Sequence, residues 1–130
     1  MADLNDLQKL ALALPETFQE EGRIAYAVQS KGKAKGIAGV WQERIAPKQA
    51  RVPNPAVIAI RVRNDLEKAM LLEAEPDKFF TEPHYNGFPA ILVRLAAVEA
   101  DELGALLLNA WRCQAPAALV KAFDQQQNQT

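Results

Sequence analysis

The spacing of apolar residues changes along this chain, and that change constrains the possible folds more than any other feature. From residue 4 to 14, and again from 103 to 123, apolar side chains recur every three or four positions, as on one face of a helix. From 23 to 63, and from 90 to 95, they alternate with other residues, as in strands with one buried face. Helices at both ends of a β-rich middle predict an α+β fold, an antiparallel sheet of about four strands packed by N- and C-terminal helices.

Capping and helix-breaking residues indicate where the elements begin and end. Asp3, and either Asn64 or Asp65, are expected to cap helices, because their side-chain oxygens can accept from free N–H groups of a first turn. Pro15 is expected to end the first helix, and Pro116 to open the last. The helix after residue 65 is expected to carry Leu66, Ala69, Met70 and Glu73 at helical spacing.

Expected strands cover residues 23–29, 37–44 (with Trp41), 56–63 and 90–95. In the first and third strands, Ile24, Tyr26, Val28, Ile58, Ile60 and Val62 are expected to face the core. The segments between the strands predict a flexible cationic hairpin tip at Lys31–Gly36, a loop containing Pro47, Pro53 and Pro55, a short helical turn at 77–80, and a turn at Asn86–Gly87.

The length of 130 residues favours one domain, which we expect to cover residues 1–124 with a flexible tail at 125–130. No apolar run approaches the roughly 20 residues that span a bilayer, and the polar start with Asp3 and Asp6 is not typical of a signal peptide. We therefore expect a cytoplasmic protein without a membrane partner. Nothing in the sequence predicts its oligomeric state.

Residues able to carry catalysis or to bind a metal are scarce. Cys113 is the only cysteine and His84 the only histidine, so a disulfide within the chain and a multi-cysteine metal site are excluded. A Cys113–His84 nucleophilic pair is possible from sequence, but a buried Cys113 and a locally hydrogen-bonded His84 are the favoured interpretation. Gly32, Gly36 and Gly39 match no phosphate-loop spacing. We expect a protein that is not an enzyme, without catalytic residues, metal or cofactor.

The charged residues are unevenly distributed, although the net charge is only −1. Residues 22–63 contain nine basic residues and a single acid, a net charge of +8, while the remainder of the chain carries −9. This asymmetry predicts an anionic partner such as DNA or another polyanion. The candidate binding residues are Arg23, Lys31, Lys33, Lys35, Lys48, Arg51, Arg61 and Arg63. Two alternatives are that the basic meander covers acidic helices of the same molecule, or that the chain is an accessory domain for a small ligand or an acidic protein.

The stretch Phe80–Leu95 resembles the MmcQ/YjbR family of small bacterial proteins. Its motif residues are Pro83, His84, Tyr85, Asn86, Gly87, Phe88, Pro89 and Arg94, and the segments 11–15, 98–103 and 110–116 are also similar. The resemblance implies a CyaY-like fold with a double-wing arrangement, linked to DNA binding by structural analogy. The chain departs from the family pattern in two places. Its first strand lacks a His-Pro pair, and Ala117 and Ala118 stand where relatives commonly carry basic residues.

Overall fold

A computed structural model describes residues 1–127 and contains four α-helices and six strands. The helices are α1 (Leu4–Leu12), α2 (Asp65–Ala74), α3 (Ala100–Gln114) and α4 (Ala117–Gln127). The strands are β1 (Thr17–Gln19), β2 (Ala25–Ser30), β3 (Lys33–Glu43), β4 (Val52–Arg61), β5 (Phe79–Phe80) and β6 (Ala90–Arg94). Two 3₁₀ turns cover Pro83–Tyr85 and Leu95–Ala97.

The strands form one antiparallel sheet in the order β1-β2-β3-β4-β6-β5. The predicted α+β class is confirmed. The sheet has six strands, whereas about four were expected. The two additional strands are β1 and β5, which have only three and two residues. Segments of that length are too short to show a two-residue apolar period. The expected helical turn at 77–80 is therefore partly wrong, since Phe79 and Phe80 pair with β6.

The main core lies between one face of the sheet and the helices α1 and α3. Tyr26, Ile58, Ile60 and Ile91 supply the sheet side, and Trp111 of α3 is fully buried among them. The indole Nε1 of Trp111 donates to the backbone oxygen of Pro15, at 2.9 Å, so its polar atom is satisfied inside the core. We call this side of the sheet the helix-covered face and the other side the open face.

The predicted helix starts are confirmed at α1 and α2. Asp3 accepts from the backbone N–H of Asp6 while the Asp6 carboxylate accepts from that of Asp3, a reciprocal capping box. Asn64 accepts from the N–H of Glu67 at 2.9 Å. The four residues at helical spacing after Asn64 do not form the buried face of α2, however. Leu66, Ala69, Met70 and Glu73 are exposed, and α2 instead buries Lys68 and half-buries Leu71 and Leu72.

Two prolines that were expected in a loop belong to β4. Pro53 and Pro55 lie in the half of β4 that pairs with β3 alone, because β6 begins to pair only at Val57. This half of the strand has a free edge, where a residue without an N–H is tolerated. The expected strand at 56–63 is therefore displaced to 52–61.

The hairpin between β2 and β3 turns more tightly than expected. Lys31 and Gly32 have φ of +53° and +80°, so a two-residue turn of the type favoured in hairpins joins the strands. Lys33–Gly36 then belong to β3 instead of forming a flexible tip, while β4 first pairs with β3 at Ala38. Ile24 precedes β2 and is 39% exposed, so its expected place in the core is wrong. At the C-terminus, residues 125–127 of the expected tail are helical, and residues 128–130 lie outside the described part.

Candidate functional site

A groove with a volume of about 300 Å³ lies on the open face of the sheet. Small residues form its floor where four strands run side by side: Ala25, Gly36, Gly39, Ala59 and Ala90. Three of them share one row, since Ala25 is opposite Gly39 and Gly39 is opposite Ala59. A Cβ atom on Gly39 would lie only 2.9 Å from the Cβ of Ala25, so the backbones approach as closely as glycine allows. The groove exists because this row carries almost no side chain.

Tyr85 and Phe88 form one wall of the groove, and both belong to the predicted family motif. Pro83 opens a 3₁₀ turn that ends at Tyr85, and the N–H of Phe88 donates back to the oxygen of Tyr85 at 3.1 Å. This second turn needs Gly87, whose φ is +77°, whereas Asn86 keeps a φ of −63°. The motif loop, residues 83–89, thus places two aromatic rings beside the small-residue floor.

Lys68 of α2 holds this loop in place from the buried side. Its side chain is 7% exposed, and Nζ donates to the backbone oxygens of Tyr85 and of Phe88, the latter at 3.0 Å. Burial lowers the pKa of the Lys68 ammonium, and the charge of nearby Asp65 partly offsets that effect. The Tyr85 and Phe88 oxygens also accept one backbone N–H each, from Phe88 and Ala90 respectively, so Lys68 supplies a second, charged donor to each of them.

Arg61 is the most distinctive charge in the groove. It is half-buried, and its guanidinium carbon lies 5.0 Å from the ring centroid of Phe88, an arrangement typical of a cation–π contact. Within residues 1–127, no carboxylate pairs with it. The other arginine of the groove, Arg23, is paired with Glu20 at 3.1 Å. One guanidinium thus faces the groove without an anion.

A second cluster on the open face supports the motif loop. Trp41 packs edge-on against Phe80 with ring centroids 5.6 Å apart, and Tyr85 packs against the same cluster. Arg94, the last motif residue, places its guanidinium carbon 4.3 Å from the Phe80 centroid and donates to the oxygen of Pro76 at 3.1 Å. Arg94 therefore links β6 to the segment before β5 within the fold. In the same cluster, burial and the neighbouring Glu82 raise the pKa of Tyr85.

The structure divides the eight predicted binding residues among four places. Lys31, Lys33 and Lys35 occupy the β2–β3 hairpin, and all three are exposed. Lys48 and Arg51 lie in or beside the β3–β4 loop, at the opposite end of the eleven-residue β3, which spans roughly 35 Å at the usual rise per residue. Arg23 and Arg61 line the groove, and Arg63 follows β4 in an exposed position. The eight do not form one continuous surface.

Of these eight residues, Lys33 and Lys35 are separated from the groove by the sheet. Lys33 is opposite Ser30 and Lys35 opposite Val28, and the buried Val28 marks the helix-covered face. The C-terminal end of α3 reaches the same place, where Gln114 donates to the oxygen of Gly36 at 3.1 Å. Arg51, by contrast, donates to the oxygen of Gln42 and lies 4.0 Å from Glu82, so its charge is already engaged.

The candidate nucleophile pair is not brought together. His84 is exposed in the motif loop beside the open face, where its ring packs edge-on against Tyr85. Cys113 is half-buried in α3, which packs on the other face. Within residues 1–127, no group of three His, Cys, Asp or Glu side chains has the arrangement that would hold a metal ion. In the same range, no helix is both long enough and apolar enough to cross a membrane.

Comparison with known proteins identifies relatives and a structural neighbour. No family model matches the chain. "Uncharacterized protein Rv2570" of Mycobacterium tuberculosis and "Uncharacterized protein Mb2600" of Mycobacterium bovis are each 44% identical to it over 71 residues. The chain spans about half the length of these curated relatives, 55% in each case.

The Deinococcus radiodurans protein DR2400, with a DUF419 domain, has a crystal structure that superposes with a TM-score of 0.62 and 21% identity. The alignment covers 85% of this chain and 77% of that one. The two chains share one fold. DUF419 is a family related to MmcQ/YjbR-type folds. At 21% identity, the neighbour supports the α+β fold and no property beyond the fold.

Sequence reasoning missed the groove and the buried lysine. The groove depends on cross-strand register, which aligns Ala25, Gly39 and Ala59 although they are far apart in the chain. Lys68 lies between Glu67 and Ala69 in a helical segment, where a lysine is ordinarily assigned to the solvent. The run of small residues in β2 and β3 was a signal for close backbone approach, but it does not predict a groove by itself.

Proposed function

We propose that this chain is a non-enzymatic binding domain of the MmcQ/YjbR type that holds the phosphate backbone of a nucleic acid with its β2–β3 hairpin. The observation that carries the proposal is the set of three exposed lysines at positions 31, 33 and 35. None of them pairs with a carboxylate within residues 1–127, and β4 leaves this part of β3 uncovered. Exposed lysines on a narrow arm suit contacts to backbone phosphates.

The tight turn supports this role for the hairpin. Positive φ at both Lys31 and Gly32 sets the two strands in one register, so the lysines alternate at fixed positions along an ordered arm. Contacts of this kind carry no base information. The proposal is accordingly for binding that depends on salt and tolerates many sequences, in a cytoplasmic protein. The CyaY-like and double-wing features implied by the family resemblance agree with a projecting hairpin.

Fluorescence anisotropy with labelled duplex DNA tests the proposal. We expect binding at about 50 mM salt that weakens steeply as salt is raised. An acidic protein partner would contact the same lysines, so polyglutamate is titrated in parallel. Absence of DNA binding at about 50 mM salt contradicts the proposal. If polyglutamate binds as tightly as DNA, the accessory role with an acidic protein is the better account.

A further inference from the structure

We propose that the groove on the open face binds a small planar anion, an aromatic or heteroaromatic ring that carries one carboxylate or one phosphate. This site is distinct from the hairpin lysines, because Lys33 and Lys35 lie on the other side of the sheet and none of the three lysines lines the groove. Each part of the ligand corresponds to one feature of the groove: its charge to Arg61, its ring to the aromatic wall, and its size to the volume above the floor.

Arg61 accounts for the charge. Half-buried cations in proteins are ordinarily paired, because leaving water costs free energy that a partner must offset. The partner of Arg61 within the described residues is the ring of Phe88, which stabilises a cation but does not neutralise it. The planar guanidinium fits a carboxylate or a phosphate with two parallel hydrogen bonds. Since Arg23 already pairs with Glu20, the groove offers one uncompensated positive charge, which matches a ligand with one anionic group.

The aromatic wall accounts for the ring. Phe88 is 46% exposed, and Tyr85 lines the groove beside it. Their rings lie 6.1 Å apart at 59°, so two aromatic surfaces border the same space. On the other side of the groove, Ile24 is 39% exposed. A flat apolar body would cover these three side chains while its anionic group meets Arg61.

The floor accounts for the size. The volume of about 300 Å³ is at the lower end of the range for ligand pockets, which favours a small molecule. Because the floor is formed by alanine and glycine, a ring can approach the sheet backbone closely. Lys68 contributes indirectly as a positioning residue, because it fixes the loop that carries Tyr85 and Phe88.

The test is a nuclear magnetic resonance titration of the full ¹⁵N-labelled chain with two anions, salicylate for the carboxylate and adenosine monophosphate for the phosphate. Salicylamide and adenosine are their uncharged counterparts. We expect at least one anion to give saturable shifts of the Gly39, Ala59, Gly87 and Phe88 amides below about 10 mM, and the uncharged counterparts to bind more weakly. Which anion binds distinguishes carboxylate from phosphate ligands. Absence of groove shifts with both anions, or equal binding of the uncharged counterparts, would overturn the proposal.

Two variants with the same charge change locate the site. Arg61→Gln should weaken binding about ten- to a hundredfold through loss of charge-assisted hydrogen bonds, whereas Arg63→Gln, outside the groove, should change it less than about twofold. Ala59→Leu fills the floor and should also block binding, which keeps the test decisive if Arg61→Gln fails to fold. Lys33→Gln/Lys35→Gln should leave anion binding intact, so a failure of this site is distinguishable from a failure of the hairpin. Equal effects of the Arg61 and Arg63 substitutions would contradict the proposal.

Discussion

The Nζ of Lys68 lies 3.0 Å from the backbone oxygen of Phe88, and through this hydrogen bond a buried lysine of α2 shapes the motif loop. The same Nζ also binds the oxygen of Tyr85. Both acceptors belong to the residues whose rings form the groove wall. The inward side of α2 is thus polar at its centre, and two of its large apolar side chains, Leu66 and Met70, face solvent.

Replacing Lys68 should destabilise the fold. Lys68→Met keeps the length of the side chain but removes the charged donor from two loop carbonyls, each of which keeps one backbone N–H donor, and we expect this to cost about 1–3 kcal/mol of unfolding free energy. Urea denaturation measures the change. Lys9→Met, on the exposed part of α1, is the matched control and should stay within about 0.5 kcal/mol. Equal stability of the two variants would show that the Lys68 hydrogen bonds contribute nothing.

The exposed side of α2 gives a second prediction. Met70→Gln should change stability by less than about 0.5 kcal/mol, because Met70 is 61% exposed. Leu71→Ala should cost about 1–2 kcal/mol, because Leu71 is half-buried against the main core. Thermal or urea unfolding of both variants decides between this orientation and one in which α2 buries Met70. A larger loss in Met70→Gln than in Leu71→Ala would indicate that α2 is rotated.

The turn at Lys31–Gly32 gives a third prediction. Gly32 has a φ of +80°, which an L side chain adopts only with strain, so Gly32→Ala should cost about 1–2 kcal/mol. Gly36 is in the same hairpin, has no positive φ and has open space around it, so Gly36→Ala should be close to neutral. Urea denaturation of the pair makes the comparison. A neutral Gly32→Ala would mean that the two-residue turn is absent in solution.

Acid should destabilise the protein through Glu102. This carboxylate accepts from the Lys78 Nζ at 2.7 Å, and that hydrogen bond lowers the pKa of Glu102 below its ordinary value of 4.5. Because the folded pKa is the lower one, the stabilisation is complete above pH 4.5 and is lost as the pH falls through the folded pKa. We expect Glu102→Gln to lose less stability than the wild type between about pH 5 and pH 3.

Urea denaturation at each pH measures the acid effect. Glu73→Gln removes an exposed carboxylate of α2 and serves as the control, with a pH profile like that of the wild type. Asp124, whose pKa is lowered by its hydrogen bond to Arg112, keeps part of the acid sensitivity in every variant. Parallel profiles for Glu102→Gln and the wild type would contradict the assigned role of the Lys78–Glu102 pair.

How far the sequence predicts this structure depends on whether the signal is local. Helix starts at Asp3 and Asn64 follow from side chains that bind their own turn, and these predictions are confirmed. The faces of β4 were also predictable, since Ile58 and Ile60 are buried in the main core while Ala59 and Arg61 line the groove on the open face. The orientation of α2 was not, because two carbonyls of a loop some twenty residues away decide which side chain it buries.

The same distinction applies to the candidate sites. Counting charges along the chain identified the hairpin lysines, but only strand pairing shows that Lys48 and Arg51 lie at the other end of the sheet. The pairing of Arg23 with Glu20 and the unpaired state of Arg61 are likewise tertiary properties. The basic segment of the sequence is therefore divided among four places in the fold.

The salt dependence of DNA binding for two charge-matched variants tests whether the hairpin holds the phosphate backbone. Lys33→Gln/Lys35→Gln removes two hairpin cations, and Lys9→Gln/Lys121→Gln removes two exposed cations elsewhere. In a plot of the logarithm of the binding constant against the logarithm of the salt concentration, the slope is negative. Its magnitude should be about 2 smaller for the hairpin variant than for the wild type, about one for each lost phosphate contact, while the control keeps the wild-type slope. Identical slopes for the two variants would contradict the claim that the hairpin holds the phosphate backbone.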